Sequence, residues 1–209
     1  MKRVLLALAM GLMIMMLGGC IEIEMNTKIN PQNGGTFTIS YTMQKDFYEM
    51  GALEQDDSAE ALPLDEAEFR DAVDKTGLHF RSFEQIDDGN AITILAAFDF
   101  DSVEALNQYY EEQSEFAKGI RVEKNGDTTT YTQPLLPAAT GEDAPSPEDL
   151  EIMKTFFEGF ELRYVLEAPA AIQRANIGTV DGNVIALSIG FEEMVSLQED
   201  LVWEISWSQ

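Results

Sequence analysis

Apolar and polar residues alternate with a period of two in segment after segment of this chain, and short turn sequences join the alternating runs in pairs. A period of two sends successive side chains to opposite faces of a pleated strand, so such pairs fold as antiparallel hairpins with one buried face. Asn125-Gly126 gives the plainest case. It separates Ile120 to Lys124 from Asp127 to Gln133, and Asn-Gly favours the type I′ turn whose twist matches its flanking strands. Ile21 to Met25 and Thr36 to Met43 flank Pro31-Gln32-Asn33-Gly34-Gly35, where Gly34 and Gly35 read as turn glycines. Leu78 to Ile86 and Ala91 to Phe100 flank Asp87-Asp88-Gly89-Asn90 in the same way.

Helical signals fall between these hairpins. Phe47 to Leu53 reads as a short helix. Asp65 and Glu68 fit a capping box ahead of Phe69, Ala72 and Val73, and Gly77 is placed to end that helix. Asp101 or Ser102 caps a helix running to about Lys118, with Val103, Leu106, Tyr110 and Phe116 tending to one side. Pro134 to Pro147 holds four of the seven prolines and no pattern, so it reads as a loop. Ser146-Pro147-Glu148-Asp149 then starts a helix whose apolar face carries Leu150, Met153, Phe156 and Phe157. Leu162 to Glu167, Ile172 to Asn176 and Val184 to Ile189 read as strands, and a last strand sets Trp203, Ile205 and Trp207 on one face. The expected class is α+β: a curved antiparallel sheet built of hairpins, with amphipathic helices packed on one face.

The N-terminus obeys a different logic. Lys2 and Arg3 precede an apolar run from Val4 to Leu17 that closes on Leu17-Gly18-Gly19-Cys20. The run is shorter than the roughly 20 apolar residues of a membrane span. Basic start, apolar core and small residues before a cysteine make a secretory signal, and the Leu-Gly-Gly-Cys ending resembles a lipobox. That resemblance implies cleavage after Gly19 and thioether linkage of diacylglycerol to Cys20. The expected organisation is a signal peptide over 1–19 and a single α+β envelope domain over 20–209, anchored to the membrane through N-terminal acyl chains, palmitate among them. Ile21 is not the aspartate that retains lipoproteins at the inner membrane of many Gram-negative systems, which favours the outer membrane there.

Charge and cysteine count narrow the function. The chain carries 13 Lys and Arg against 38 Asp and Glu, a net charge of −25, and the leader removes only basic residues. Such a charge repels phosphate backbones, so no nucleic-acid partner is expected, and it repels anionic headgroups, so the domain is expected to stand off the membrane from its tether. Cys20 is the only cysteine, which leaves no thiol for a disulfide, a redox pair or a nucleophile.

Catalytic constellations are equally scarce. No serine lies in a Gly-x-Ser-x-Gly setting, and His79 is the only imidazole, on the face opposite Leu78 and Phe80. One histidine excludes an ordinary zinc site, and neither Asp87, Asp88 and Asn90 nor Asp99 and Asp101 follow the calcium-loop spacing. The pairs Asp56-Asp57, Glu111-Glu112 and Glu192-Glu193 could serve glycoside hydrolysis, but 38 acids generate such pairs by composition. No catalytic residue, metal site or cofactor is therefore expected. What remains is apolar shape: Met153, Phe156, Phe157 and Trp203 are the candidate lining of a pocket between sheet and helices, with the helix from Pro147 as its lid. The competing reading makes the same residues plain core.

Two stretches carry a family resemblance. Cys20-Ile21-Glu22-Ile23-Glu24-Met25 runs from the lipobox straight into an alternating strand and a glycine-bearing turn. Near the other end stands Ala168-Pro169-Ala170-Ala171-Ile172-Gln173-Arg174-Ala175-Asn176, then Asp181-Gly182-Asn183-Val184. Together they resemble the LppM-like domain of bacterial envelope lipoproteins. The resemblance implies an α+β envelope domain with lipid or glycolipid binding and no known catalytic residues. The expected function is a noncatalytic, lipid-anchored protein that binds a lipid or other apolar ligand. The alternative is a structural or assembly accessory of an envelope complex, with an envelope protein as partner.

Overall fold

The computed structural model describes residues 21–49, 63–73, 76–113, 119–139 and 147–208. The expected signal peptide over 1–19 and Cys20 lie outside the described residues, as do 50–53 and 114–118 of two expected helices. The described part is α+β, with eleven strands and five helices.

Strands β1 (Glu22–Ile29) and β2 (Gly35–Gln44) form the first hairpin, and helix α1 (Lys45–Glu49) follows. Helix α2 (Glu66–Val73) opens with the anticipated capping box: the Glu68 amide donates to Asp65 Oδ1 at 3.0 Å and the Asp65 amide to Glu68 Oε2 at 3.3 Å. Strands β3 (Leu78–Asp87) and β4 (Ala91–Phe100) make the second hairpin. The carboxylate of Asp88 closes its turn by accepting the amides of Asn90 and Ala91 at 2.8 and 2.7 Å. Helix α3 (Val103–Gln113) begins at Ser102, whose Oγ accepts the Ala105 amide at 3.4 Å.

Strands β5 (Arg121–Asn125) and β6 (Thr128–Leu136) form the third hairpin, with Asn125 opposite Thr128. The two-residue loop is thus Gly126-Asp127, one position later than an Asn-Gly loop requires. Only its first residue has positive φ, +65° at Gly126, which is the glycine-first pattern of a II′ turn rather than the expected I′. β6 also runs through Pro134 into what the sequence marks as loop. β5 begins with Arg121 opposite Thr132, so beyond that point β6 has a neighbour on one side only and a residue lacking an amide hydrogen is tolerated.

Helix α4 (Pro147–Phe156), strands β7 (Glu161–Glu167), β8 (Ile172–Ala175), β9 (Thr179–Asp181) and β10 (Val184–Gly190), helix α5 (Phe191–Val195) and strand β11 (Leu201–Ser208) complete the order. β9 and α5 carry no sequence signal of their own, being 3 and 5 residues long.

The hairpins divide between two sheets rather than building one. Seven strands run in the order β3-β4-β2-β1-β7-β10-β9, and four in the order β5-β6-β11-β8. One pairing, β1 with β7, is parallel. Period-two patterning identifies strands but not their partners, and both corrections follow from that.

Register places Ile29, Phe37, Tyr41, Phe98, Leu166 and Ile185 on one face of the larger sheet, all buried. Phe80 and Phe83 share that face although they are three residues apart. Phe80 pairs with Phe98 and Ser82 with Ala97, so Arg81 is an extra residue that reverses the alternation after it. Phe69 of α2 sits against Tyr41, Phe83 and Phe98, with ring centroids 5.9–6.2 Å apart. Tyr109 and Tyr110 of α3 sit against Phe37 at 5.6 and 5.7 Å. The smaller sheet contributes Tyr131, Trp203, Ile205 and Trp207, and Trp203 meets Tyr164 of β7 at 6.4 Å. The opposite face of the larger sheet is polar, with ion pairs from Lys28 to Glu167 at 2.8 Å and from Arg163 to Glu24 at 3.2 Å.

Candidate functional site

The bend after α4 and the start of α5 meet at one end of the larger sheet. The Phe157 amide donates to Met153 O at 2.8 Å, extending the helical pattern by a residue, and the Phe160 amide donates to Phe157 O at 3.0 Å. Gly159, at φ +80°, turns the chain there into β7. Glu161, the first residue of β7, pairs with Gly190, the last of β10 and the N-cap of α5. Phe191 is thereby brought onto Phe157. The two rings stack at 5.0 Å with planes 13° apart, and Phe160 meets Phe157 edge-on at 6.1 Å.

This stack forms the floor of an open cleft of about 460 Å³, lined further by Lys154, Glu158, Glu192 and Glu193. Lys154 Nζ lies 3.4 Å from Glu151 Oε1 and 3.8 Å from Glu192 Oε1, so the one cation of the rim is engaged by acids already present. An apolar floor under a net-negative rim suits an apolar or amphipathic group with a neutral or zwitterionic head. It opposes an anionic one.

The residues expected to line a pocket are only partly brought together. Phe157 lines the cleft. Met153 is half-buried one turn earlier on α4, and the side chain of Phe156 lies outside the described residues. Trp203 is buried between the sheets, where its Nε1 donates to Ile177 O at 3.1 Å. Sequence reasoning missed Phe191, because the signal would have been an aromatic directly after a strand-ending glycine, a pattern with no strong structural meaning of its own.

The titratable candidates have local partners. His79 is exposed, with Nε2 3.2 Å from Asp101 Oδ2. Asp87 is bonded to Lys45 and accepts the Gly89 amide at 2.8 Å; these contacts, with the Lys45 hydrogen bond the larger, hold its carboxyl below the usual aspartate range. The amides of Ala91 and Asn90 lower Asp88 likewise. Asp99 pairs with Arg81 at 3.3 Å. Among the described residues no three His, Cys, Asp or Glu side chains gather as a metal site, and no helix is long and apolar enough to cross a membrane. Glu192 and Glu193 stand on the cleft rim, Glu111 and Glu112 are exposed on α3, and Asp56 and Asp57 lie outside the described residues. A second open cleft, of about 610 Å³, lies beside β9 and β10 with Arg163, Thr179, Asp181 and Ser188 in its wall. Arg163 there is held by Glu24 and donates to Ser188 Oγ at 3.3 Å.

No protein-family model matches the chain, and no curated protein sequence matches it. Among solved structures, the NMR structure of the folded domain of LppM from Mycobacterium tuberculosis is similar, with a TM-score of 0.51 over 91% of this chain and 91% of that one. Sequence identity is 11%, so the likeness is one of fold. The resemblance to LppM-like domains carried by the two ends of the chain is thus borne out at the level of architecture.

Proposed function

We propose that this protein is a noncatalytic envelope lipoprotein, anchored through Cys20, that binds a lipid or other apolar ligand at the Phe157–Phe191 cleft. The observation that carries the reading is the stacked aromatic pair on the floor of a cleft of about 460 Å³. α4 acts as its movable wall, and the amphipathic helices pack on the apolar face of the larger sheet to hold that wall in place. The Leu-Gly-Gly-Cys sequence supports the anchor, and Ile21 after the cysteine supports outer-membrane sorting in a Gram-negative cell.

The decisive experiment is native mass spectrometry of the mature domain with Cys20 removed and gently extracted, on the parent chain and on Phe157→Ala. A copurified lipid that is depleted at least tenfold in the variant supports the reading. A ligand-free parent chain, or equal ligand occupancy in both, sinks it. One observation favours a second reading, an assembly accessory acting through its surface: Ile152 of α4 is 52% exposed. Under that reading Ile152→Glu abolishes capture of an envelope protein and leaves lipid occupancy unchanged.

A further inference from the structure

Ile21 is the first described residue, and it is already part of the fold. Its side chain is buried and its carbonyl accepts the Glu161 amide at 3.1 Å, while β1 starts at the next residue. Cys20 is bonded directly to it, and one residue spans at most about 3.6 Å. An acylated Cys20 therefore has no tether with which to hold the domain off the bilayer.

We propose that the domain docks end-on against zwitterionic headgroups, with the sheet end that carries Glu22, Glu161 and Gly190 turned to the membrane; this rests on the reading of Cys20 as lipidated. Register sets Ile86, Thr93, Thr42, Glu22, Glu161 and Gly190 side by side in one row across six strands. Strand spacings of about 4.8 Å make that row about 24 Å wide. Beyond it project the β3–β4 turn, α1, the Phe157 to Phe160 bend and α5. The apolar groups offered there are Ile86, 46% exposed, on one side and the rim of the Phe157–Phe191 stack on the other. The opposite end of β1, with the Asn30 to Gly34 turn, is eight residues away, about 26 Å. A headgroup layer is only about 5–8 Å deep, so the two ends of the sheet meet different environments.

Charge selects the lipid. Asp88, Glu22, Glu158, Glu192 and Glu193 stand at the docking end against Lys45 and Lys154, and each of those lysines is already paired. Anionic lipid repels this end, whereas phosphatidylcholine or phosphatidylethanolamine headgroups accept it. The cleft then opens toward the layer from which an apolar ligand would come.

Spin labelling tests this on the full lipidated chain, because acylation of its one cysteine leaves an introduced thiol as the sole label site. Ile86→Cys and Asp46→Cys mark the near end and Gln32→Cys the far end. In phosphatidylcholine vesicles the near labels should collide several-fold more with dissolved oxygen than with an aqueous nickel chelate, relative to Gln32→Cys. One third phosphatidylglycerol should erase that difference. Equal or reversed depth order in phosphatidylcholine overturns end-on docking, and indifference to phosphatidylglycerol overturns the headgroup assignment. Intact mass separates the two ideas: a chain that reaches vesicles without acyl groups on Cys20 overturns the anchor itself.

Discussion

Trp207 and Thr129 face each other across β11 and β6, and each buries a polar atom, Nε1 and Oγ1, that has no hydrogen-bond partner among the described residues. On the two central strands of the smaller sheet, such atoms keep the full loss of their hydration, about 1–3 kcal/mol each. Trp203 on the same face differs, because its Nε1 reaches Ile177 O. Thr129→Val keeps the shape and removes the hydroxyl, so it should stabilise the domain by about 1 kcal/mol in urea unfolding. Destabilisation by more than that would mean the hydroxyl is satisfied in solution. Trp203→Phe should instead destabilise, since it strands the Ile177 carbonyl.

Phe69 is the aromatic hub of the helix-covered half of the core, fully buried against Tyr41, Phe83 and Phe98. Phe69→Ala should cost about 3–5 kcal/mol. Deleting Arg81 tests the bulge itself, because Phe80 and Phe83 would then stand two residues apart and share the buried face by plain alternation, with every other pair of the ladder kept. Circular dichroism and denaturant midpoints should show a much smaller loss than Phe69→Ala; a loss as large as that of Phe69→Ala would refute the assigned register.

Much of this fold was legible. The capping box at Asp65 and Glu68, the alternation through β4, and Trp203, Ile205 and Trp207 on one face all follow from local chemistry that tertiary contacts then reinforce. What was not legible depends on partners. A β-bulge at Arg81 has no composition signature, and the division into two sheets is decided by which strand β11 pairs with. Phe157 was readable as one half of the site from helical spacing. Phe191 was not, because only the pairing of Glu161 with Gly190 brings α5 to α4. Trp203 was drawn toward the site by size alone, and burial against Tyr164 accounts for it instead.

The first turn separates two uses of small residues. Its left-handed position is Asn33, at φ +65°, which asparagine tolerates. Gly35 has an ordinary φ and is needed for space: a Cβ there would lie 1.8 Å from Lys28 O and 2.8 Å from the ring of Phe100. Asn33→Gly should therefore change stability by less than about 0.5 kcal/mol, whereas Gly35→Ala should destabilise by about 2 kcal/mol or more as β1 and β4 are pushed apart. Thermal melts of the two variants check this directly, and a mild Gly35→Ala would contradict the close approach of Lys28.

Alkali should unfold the domain through its buried phenols. Burial pushes Tyr109 up to about 12, Tyr41, Tyr131 and Tyr164 higher still, and Tyr110 well above the usual phenol range, with neighbouring phenols adding to the rise for Tyr41, Tyr110 and Tyr131. Tyr131 donates to Gln133 Oε1 at 2.7 Å, and the Tyr110 hydroxyl lies 3.6 Å from Met25 Sδ, so ionisation would strip donors that the core uses. A group whose folded value lies above its unfolded value of about 10 contributes stability that is complete below pH 10 and lost as pH rises past it. The five phenols should thus stay silent at 295 nm through pH 10 and ionise together, in the same step in which the far-ultraviolet circular dichroism collapses. Gradual ionisation of all five around pH 10 in a chain that keeps its native spectrum would show that water reaches the space between the two sheets.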